Sequence, residues 1–172
     1  SRHRPVYLQA VIDYNRSIGQ AVYPDANGSL RITFGNVMGY SPRDAVEYGP
    51  FTTLEGILEK DTGVDPFDSP ANQLELIRAR AHHGRGDATI GSVPVNFMTD
   101  MDVTGGNSGS PAVTPTLQIV GLNFDRNIQG LSRDYIFLPE RGRNVMVDVR
   151  AIGAALQHVY RADRLLRELG QR

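Results

Sequence analysis

Apolar residues recur at helical spacing towards both ends of this chain and alternate with polar residues between them. Val6, Leu8, Ala10, Val11, Tyr14, Ile18 and Val22 trace an approximate 3.6-residue stripe. That stripe predicts a helix from Pro5 to Val22, with proline suited to the first turn. The turn-forming cluster Tyr23–Ser29 ends it. Leu30, Ile32 and Phe34 alternate with Arg31 and Thr33, the signature of a half-buried strand. A loop from Gly35 to Pro50 follows, then a short helix from Thr52 or Thr53 to Lys60, with a threonine cap and Glu55 in its first turn. After a loop from Asp61 to Pro70, Leu74 and Ile77 mark a second amphipathic helix over Ala71–Arg80. Ala81–Gly91 has no periodicity and reads as the most mobile stretch.

Strands are expected at Val93–Met98, Ala112–Thr114, Leu117–Phe124 and Tyr135–Leu138, with Pro94 at an edge or a strand start. A helix over Val147–Tyr160 follows from the stripe Val149, Ile152, Leu156 and Val159, and Asp163–Leu169 continues helical. The pattern is one of antiparallel strands bracketed by helices, with no internal repeat.

Between two of these strands lies Thr104-Gly105-Gly106-Asn107-Ser108-Gly109-Ser110-Pro111. Glycine adopts backbone shapes that other residues resist, so the turn can present the Ser108 hydroxyl outward. The N–H groups of Gly106 and Ser108 can converge on one point, as a tetrahedral oxyanion requires. Read blandly, this is a Gly/Ser-rich surface turn. Glycines on both sides of the serine, a closing proline and a strand close behind favour a nucleophile, in the order that chymotrypsin-like peptidases use.

Composition narrows the chemistry. The 172 residues suffice for one domain with a sizeable core, or one domain and a helical appendage. A net charge of −1 suggests no nucleic-acid or membrane-surface partner. There is no cysteine, hence no disulfide, thiol nucleophile or cysteine-based metal site. No apolar run approaches the roughly 20 residues of a membrane span. The opening Ser1-Arg2-His3-Arg4-Pro5 lacks methionine and reads as an internal cut in a longer protein.

A serine nucleophile needs a base, most often a histidine held by an acid. His3 sits at a frayed end, and His158 reads as a helix-packing or surface residue. His82-His83 lies in the polar loop without an acid at metal-binding spacing, so a metal is rejected and no cofactor is expected. In chymotrypsin-type peptidases base and acid precede the serine, on the other barrel; that half is expected to lie outside this chain, which alone should be a poor enzyme. The strand Ile119–Arg126 ends 17 and 18 residues after Ser108 in Asp125 and Arg126. A carboxylate there could hold a substrate's α-amine, and a guanidinium its carboxylate side chain. The two could equally form a solvated ion pair.

The run Val103-Thr104-Gly105-Gly106-Asn107-Ser108-Gly109-Ser110-Pro111 and the later Val120-Gly121-Leu122-Asn123-Phe124-Asp125 resemble the dipeptidyl-peptidase 7 and 11 family of bacterial serine peptidases. So do Tyr23-Pro24-Asp25-Ala26-Asn27, Phe51-Thr52-Thr53-Leu54-Glu55-Gly56 and Val147-Asp148-Val149-Arg150; residues 82–91 depart from the pattern. The resemblance implies a mainly β fold with flanking helices, the second barrel of a chymotrypsin-like double barrel. Residues 1–22 would end an inserted helical domain, and residues 23–172 would form the C-terminal barrel half with its closing helices.

The resemblance further implies a homodimeric enzyme of the periplasm or cell surface that removes dipeptides from substrates with a free N-terminus. Ser108 matches the nucleophile, Gly106 the oxyanion-hole glycine and Asp125 the aspartate that binds the α-amine. The triad's histidine and aspartate would lie upstream, with a further amine-binding asparagine. In this family glycine after that aspartate accompanies hydrophobic second residues, and arginine accompanies Asp or Glu. Arg126 therefore implies the acidic preference. Two alternatives stand beside it, a hydrophobic preference with Arg126 turned away and a protease-like module that binds without catalysing.

Overall fold

The computed structural model describes residues 2–20, 22, 29–81, 84–134 and 137–170, in two units, Ser1–Ile32 and Thr33–Arg172. In the first unit, helix α1 (Arg4–Ser17) has proline in its first turn. It is shorter than the stripe predicts: Gly19 takes a left-handed φ of 71°, a common way for a helix to stop, and Val22 lies outside it. None of its residues is buried.

The strand expected over Leu30–Phe34 does not form. Leu30, Ile32 and Phe34 are 89%, 83% and 89% exposed, and no described strand pairs with them. Alternation marks a face that could be buried, but a strand also needs a neighbour to take its N–H and C=O groups.

In the second unit, the expected loop 35–50 contains a hairpin, β1 (Tyr40–Arg43) and β2 (Val46–Tyr48). Gly39 makes this packing possible, since a Cβ there would collide with the Tyr48 carbonyl. Next come β3 (Phe51–Thr53), helix α2 (Leu54–Lys60) and helix α3 (Ala71–Arg78), the two helices close to their expected limits. Strands β4 (Pro94–Thr99), β5 (Pro111–Val113), β6 (Ile119–Arg126) and β7 (Asn144–Asp148) complete an antiparallel sheet in the order β3-β4-β7-β6-β5. Pro94 does open its strand, but between β3 and β7 rather than at an edge. Mainly β with flanking helices is the class observed; among the described residues the sheet is open, with β3 and β5 as its edges, and does not close into a barrel.

Strand β7 corrects the helix expected from Val147. Its buried positions are Asn144, Met146 and Asp148, so polar residues occupy the inward register and disguise the alternation. Asp148 then caps α4 (Val149–Ala154), accepting the Arg150 N–H at 2.8 Å. The expected helix through Tyr160 ends as a wider π-type turn at Ala155–Val159, and α5 (Asp163–Glu168) follows. Of the strand expected at Tyr135–Leu138, Tyr135 and Ile136 lie outside the described residues. A 3-10 segment, Ile128–Asp134, precedes them, and Phe137 and Leu138 are irregular.

The core has two parts. Leu54, Ile77 and Val93 pack with Ile57, Leu58, Val95 and Ala151, while Phe97, Ala112 and Met146 pack with Met101 and Val120. Phe97, Met146 and Asn123 stand directly opposite one another on β4, β7 and β6 and so share a face. Gly121, on that face, leaves room for the Phe97 ring; a Cβ would lie 2.6 Å from it.

Candidate active site

The segment that carries Ser108 is two turns laid end to end. Asn107 N–H donates to the Thr104 carbonyl at 3.3 Å, and Thr104 N–H donates to the Asn107 side-chain oxygen at 3.0 Å. Ser110 N–H then donates to the Asn107 carbonyl at 3.0 Å. Gly106 at φ 99° and Gly109 at φ 82° occupy the left-handed region where glycine alone is unstrained, which is why glycines flank this serine. Beta-strand β6 grips the far side: Gly109 N–H donates to the Asn123 carbonyl at 2.7 Å and Asn123 N–H to the Ser110 carbonyl at 2.9 Å.

Ser108 is exposed at the crest. Among the described residues no carbonyl accepts the N–H of Gly106 or Ser108, and no side chain accepts the Ser108 hydroxyl. Unengaged backbone donors beside an exposed hydroxyl are the parts from which an oxyanion site is assembled. His82 and His83 lie outside the described residues, and His158 sits in the π-type turn beyond α4.

The root of the turn is held from below. Arg133 donates from Nη1 to the Met101 carbonyl at 2.8 Å and to the Asn144 side chain, stacks 4.9 Å over the Phe137 ring, and lies 3.9 Å from Asp102. Neighbouring Arg143 is only 2% exposed. Its guanidinium is enclosed by the carbonyls of Gly39 (2.9 Å), Pro139 (2.6 Å), Gly142 (2.8 Å) and Glu140 (3.4 Å). The sequence reading missed this network, because Arg143 and Asn144 close the polar stretch Glu140–Asn144 and look like loop residues there.

At the end of β6 the register slips between Asn123 and Asp125, so Phe124 is an extra, bulged residue. Bulges re-aim the side chains that follow them. Here Arg126 stands opposite Asn144 and Asp125 opposite Val145, which places Arg126 on the buried face with Asn144 and Asp125 on the other. Arg126 is half-buried and Asp125 exposed. The Asp125 carboxylate accepts the Arg126 backbone N–H at 2.8 Å, and the two side chains do not form the ion pair that their adjacency suggested. Asn127 secures this end, donating its N–H to the Arg143 carbonyl at 2.9 Å and accepting the Arg143 N–H at 2.8 Å. The fold thus sets Ser108 and the pair Asp125–Arg126 around β6, Ser108 against its middle and the pair at its end.

The described part of the polar loop is anchored, against the mobile stretch expected. Arg150 clasps Asp148 through two nitrogens (3.0 and 2.9 Å) and reaches Asp87 at 2.8 Å. The Arg150 hydrogen bond, with the N–H groups of Thr89 and Ile90, holds the Asp87 carboxyl below its usual value of 3.8. Arg150 is correspondingly held more basic, mainly by Asp148.

A family model described as Peptidase S46 matches residues 1–171. The chain is 40% identical to the Asp/Glu-specific dipeptidyl-peptidase of Shewanella putrefaciens over 98% of its own length and 26% of that protein's. It is 42% identical to dipeptidyl-peptidase 7 of Phocaeicola vulgatus over 75% of its length and 18% of the relative's. Its structure matches the crystal structure of Porphyromonas endodontalis DPP11 in complex with the dipeptide Arg-Asp, with a TM-score of 0.84 and 36% identity, covering 96% of this chain and 24% of that one. A complex of the same protein with Arg-Glu matches equally, TM-score 0.84. The chain therefore spans between 18% and 26% of the length of these proteins.

Proposed function

Because the chain belongs to the peptidase S46 family, we propose that the full-length protein is a serine-type dipeptidyl-peptidase releasing N-terminal dipeptides with Asp or Glu at the second position. One observation carries the specificity: a half-buried arginine, Arg126, directly follows the bulge and Asp125 at the end of the strand that grips the Ser108 turn. The Asp/Glu-specific names of relatives and the Arg-Asp and Arg-Glu complexes of DPP11 support it.

In this reading Ser108 Oγ attacks the carbonyl carbon of the second residue while its proton passes to a histidine base. Gly106 and Ser108 N–H groups receive the oxyanion; the C–N bond then breaks as the base protonates the departing amine. Water hydrolyses the resulting ester and restores the hydroxyl. The histidine and its aspartate belong to the protein beyond residues 1–172. Asp125 binds the free α-amine, and Arg126 binds the acidic side chain with two parallel hydrogen bonds. A leucine at that place would desolvate the guanidinium without offering it an acceptor, which costs more than a missing contact. Residues 1–22 end a helical insert and 23–172 form the C-terminal half of the peptidase fold. A homodimer located in the periplasm or at the cell surface completes the reading.

Hydrolysis of dipeptidyl amides by the full-length enzyme tests it. Substrates ending in Asp or Glu are expected to turn over about a hundredfold faster than one ending in Leu. Blocking the substrate's N-terminus should abolish cleavage. Equal rates for Leu overturn the acidic preference, faster turnover of Leu establishes the hydrophobic one, and no cleavage of any substrate leaves a binding module.

A further inference from the structure

The serine motif leaves one buried residue beside the nucleophile unexplained. Asn123 is 6% exposed and stands in a row with Phe97 and Met146 on the sheet's buried face. An amide in an apolar row is costly unless its hydrogen bonds are used. Its Oδ1 is buried and has no hydrogen-bond partner among the described residues, so full satisfaction does not account for it. Its Nδ2, by contrast, donates to the Asn107 carbonyl at 3.4 Å.

That carbonyl belongs to the same peptide unit as the Ser108 N–H. In a trans peptide the two point in opposite directions, and the one cis peptide among the described residues is elsewhere, at Asp65–Pro66. A carbonyl held inward therefore aims the Ser108 N–H outward. Two donors hold it, Ser110 N–H at 3.0 Å and the Asn123 amide. The main chain of Asn123 adds bonds to Gly109 and Ser110, so this residue grips the turn on both sides of Ser108.

We propose that Asn123 is a positioning residue for catalysis, orienting the Asn107–Ser108 peptide so that the Ser108 N–H faces the oxyanion. The proposal rests on Ser108 as the nucleophile. It acts on the transition state, because an oxyanion donor strengthens only as the carbonyl becomes tetrahedral. Removing the amide donor should lower kcat and leave KM nearly unchanged.

The test uses the full-length enzyme with Asn123→Leu and Asn123→Asp, both close to asparagine in size. Active sites are counted by stoichiometric fluorophosphonate labelling, and kcat is expressed per labelled site. Asn123→Leu is expected to lower kcat about tenfold and Asn123→Asp about a hundredfold, since a carboxylate repels the carbonyl it faces. KM should stay within about twofold, and the rate of fluorophosphonate labelling should fall in step with kcat. An unchanged kcat per site overturns the proposal, as does a loss shared by KM and thermal stability. Ser108→Ala separates the two readings: activity retained there removes the nucleophile itself, whereas activity abolished there and intact in Asn123→Leu removes only the role of Asn123. Should neither Asn123 variant fold, the wild-type phosphonyl adduct decides by crystallography. An Asn107 carbonyl facing Asn123 supports the role, and one turned away overturns it.

Discussion

Two polar regions next to one another on the sheet are built on opposite principles. Around Arg143 and Arg133 the charged groups are buried and enclosed, Arg143 by the carbonyls of Gly39, Pro139, Gly142 and Glu140. Around Ser108 the exposed hydroxyl and the N–H groups of Gly106 and Ser108 have no acceptor among the described residues. Arg126 and Asp125 stand at the strand end beyond a bulge, one half-buried and the other exposed. A buried charge must be satisfied from within if the fold is to stand. Groups that act on a substrate must keep their capacity for it. Arginine alone is thus a poor guide to function, and its surroundings decide between scaffold and site.

The largest effect should come from the open region. Ser108→Ala is expected to lower kcat of the full-length enzyme by a factor on the order of 10⁶. Its stability should stay within about 0.5 kcal/mol, because the exposed hydroxyl has no partner within the described fold. Arg143→Met should do the reverse. It leaves buried carbonyls without a donor and is expected to cost about 3–5 kcal/mol in denaturant unfolding, with activity per folded molecule retained. Loss of activity without loss of stability would blur the distinction between the two regions.

Gly121→Ala sharpens the comparison from the packing side. The new methyl would lie 2.6 and 2.7 Å from the Phe97 ring and 2.8 Å from the Val147 carbonyl. An overpacking penalty of about 1–3 kcal/mol is expected, read as a lower Tm. The smallest effect belongs to Asp87. Folding lowers its pKa, so the folded state binds fewer protons and gains stability from the ionised form. That gain is complete above the ordinary value near 3.8 and is lost as pH falls through the lower folded-state value. Asp87→Asn should therefore lower Tm slightly at neutral pH and flatten its decline in acid; an unaltered acid limb would contradict the pairing with Arg150.

Much of this was legible in the chain. The glycines around Ser108 announced a turn with left-handed positions, and Gly106 and Gly109 occupy them. Helices α2 and α3 and strands β4, β5 and β6 lie near their expected places because their apolar spacing matches their burial. Strand β7 was hidden because Asn144 and Asp148 hold inward positions that a pattern search expects to be apolar. At Leu30–Phe34 the error ran the other way: the alternation is present, but no described strand supplies the pairing it calls for. Within the site, residue identity pointed to Asp125 and Arg126. The bulge that turns Arg126 rather than Asp125 to the buried face and the Asn123 contact to the Asn107 carbonyl are products of register, which one sequence does not display.

The central claim is that Arg126 selects the acidic second residue. Its most direct test is the ratio of kcat/KM for an Asp-ending over a Leu-ending dipeptidyl substrate, measured on the full-length enzyme before and after Arg126→Gly. Loss of the guanidinium's hydrogen bonds to an acidic side chain and relief of its desolvation against leucine should together lower the ratio by roughly a hundredfold or more. A ratio that stays within about twofold of the original would contradict the account, leaving Arg126 a bystander at the end of its strand.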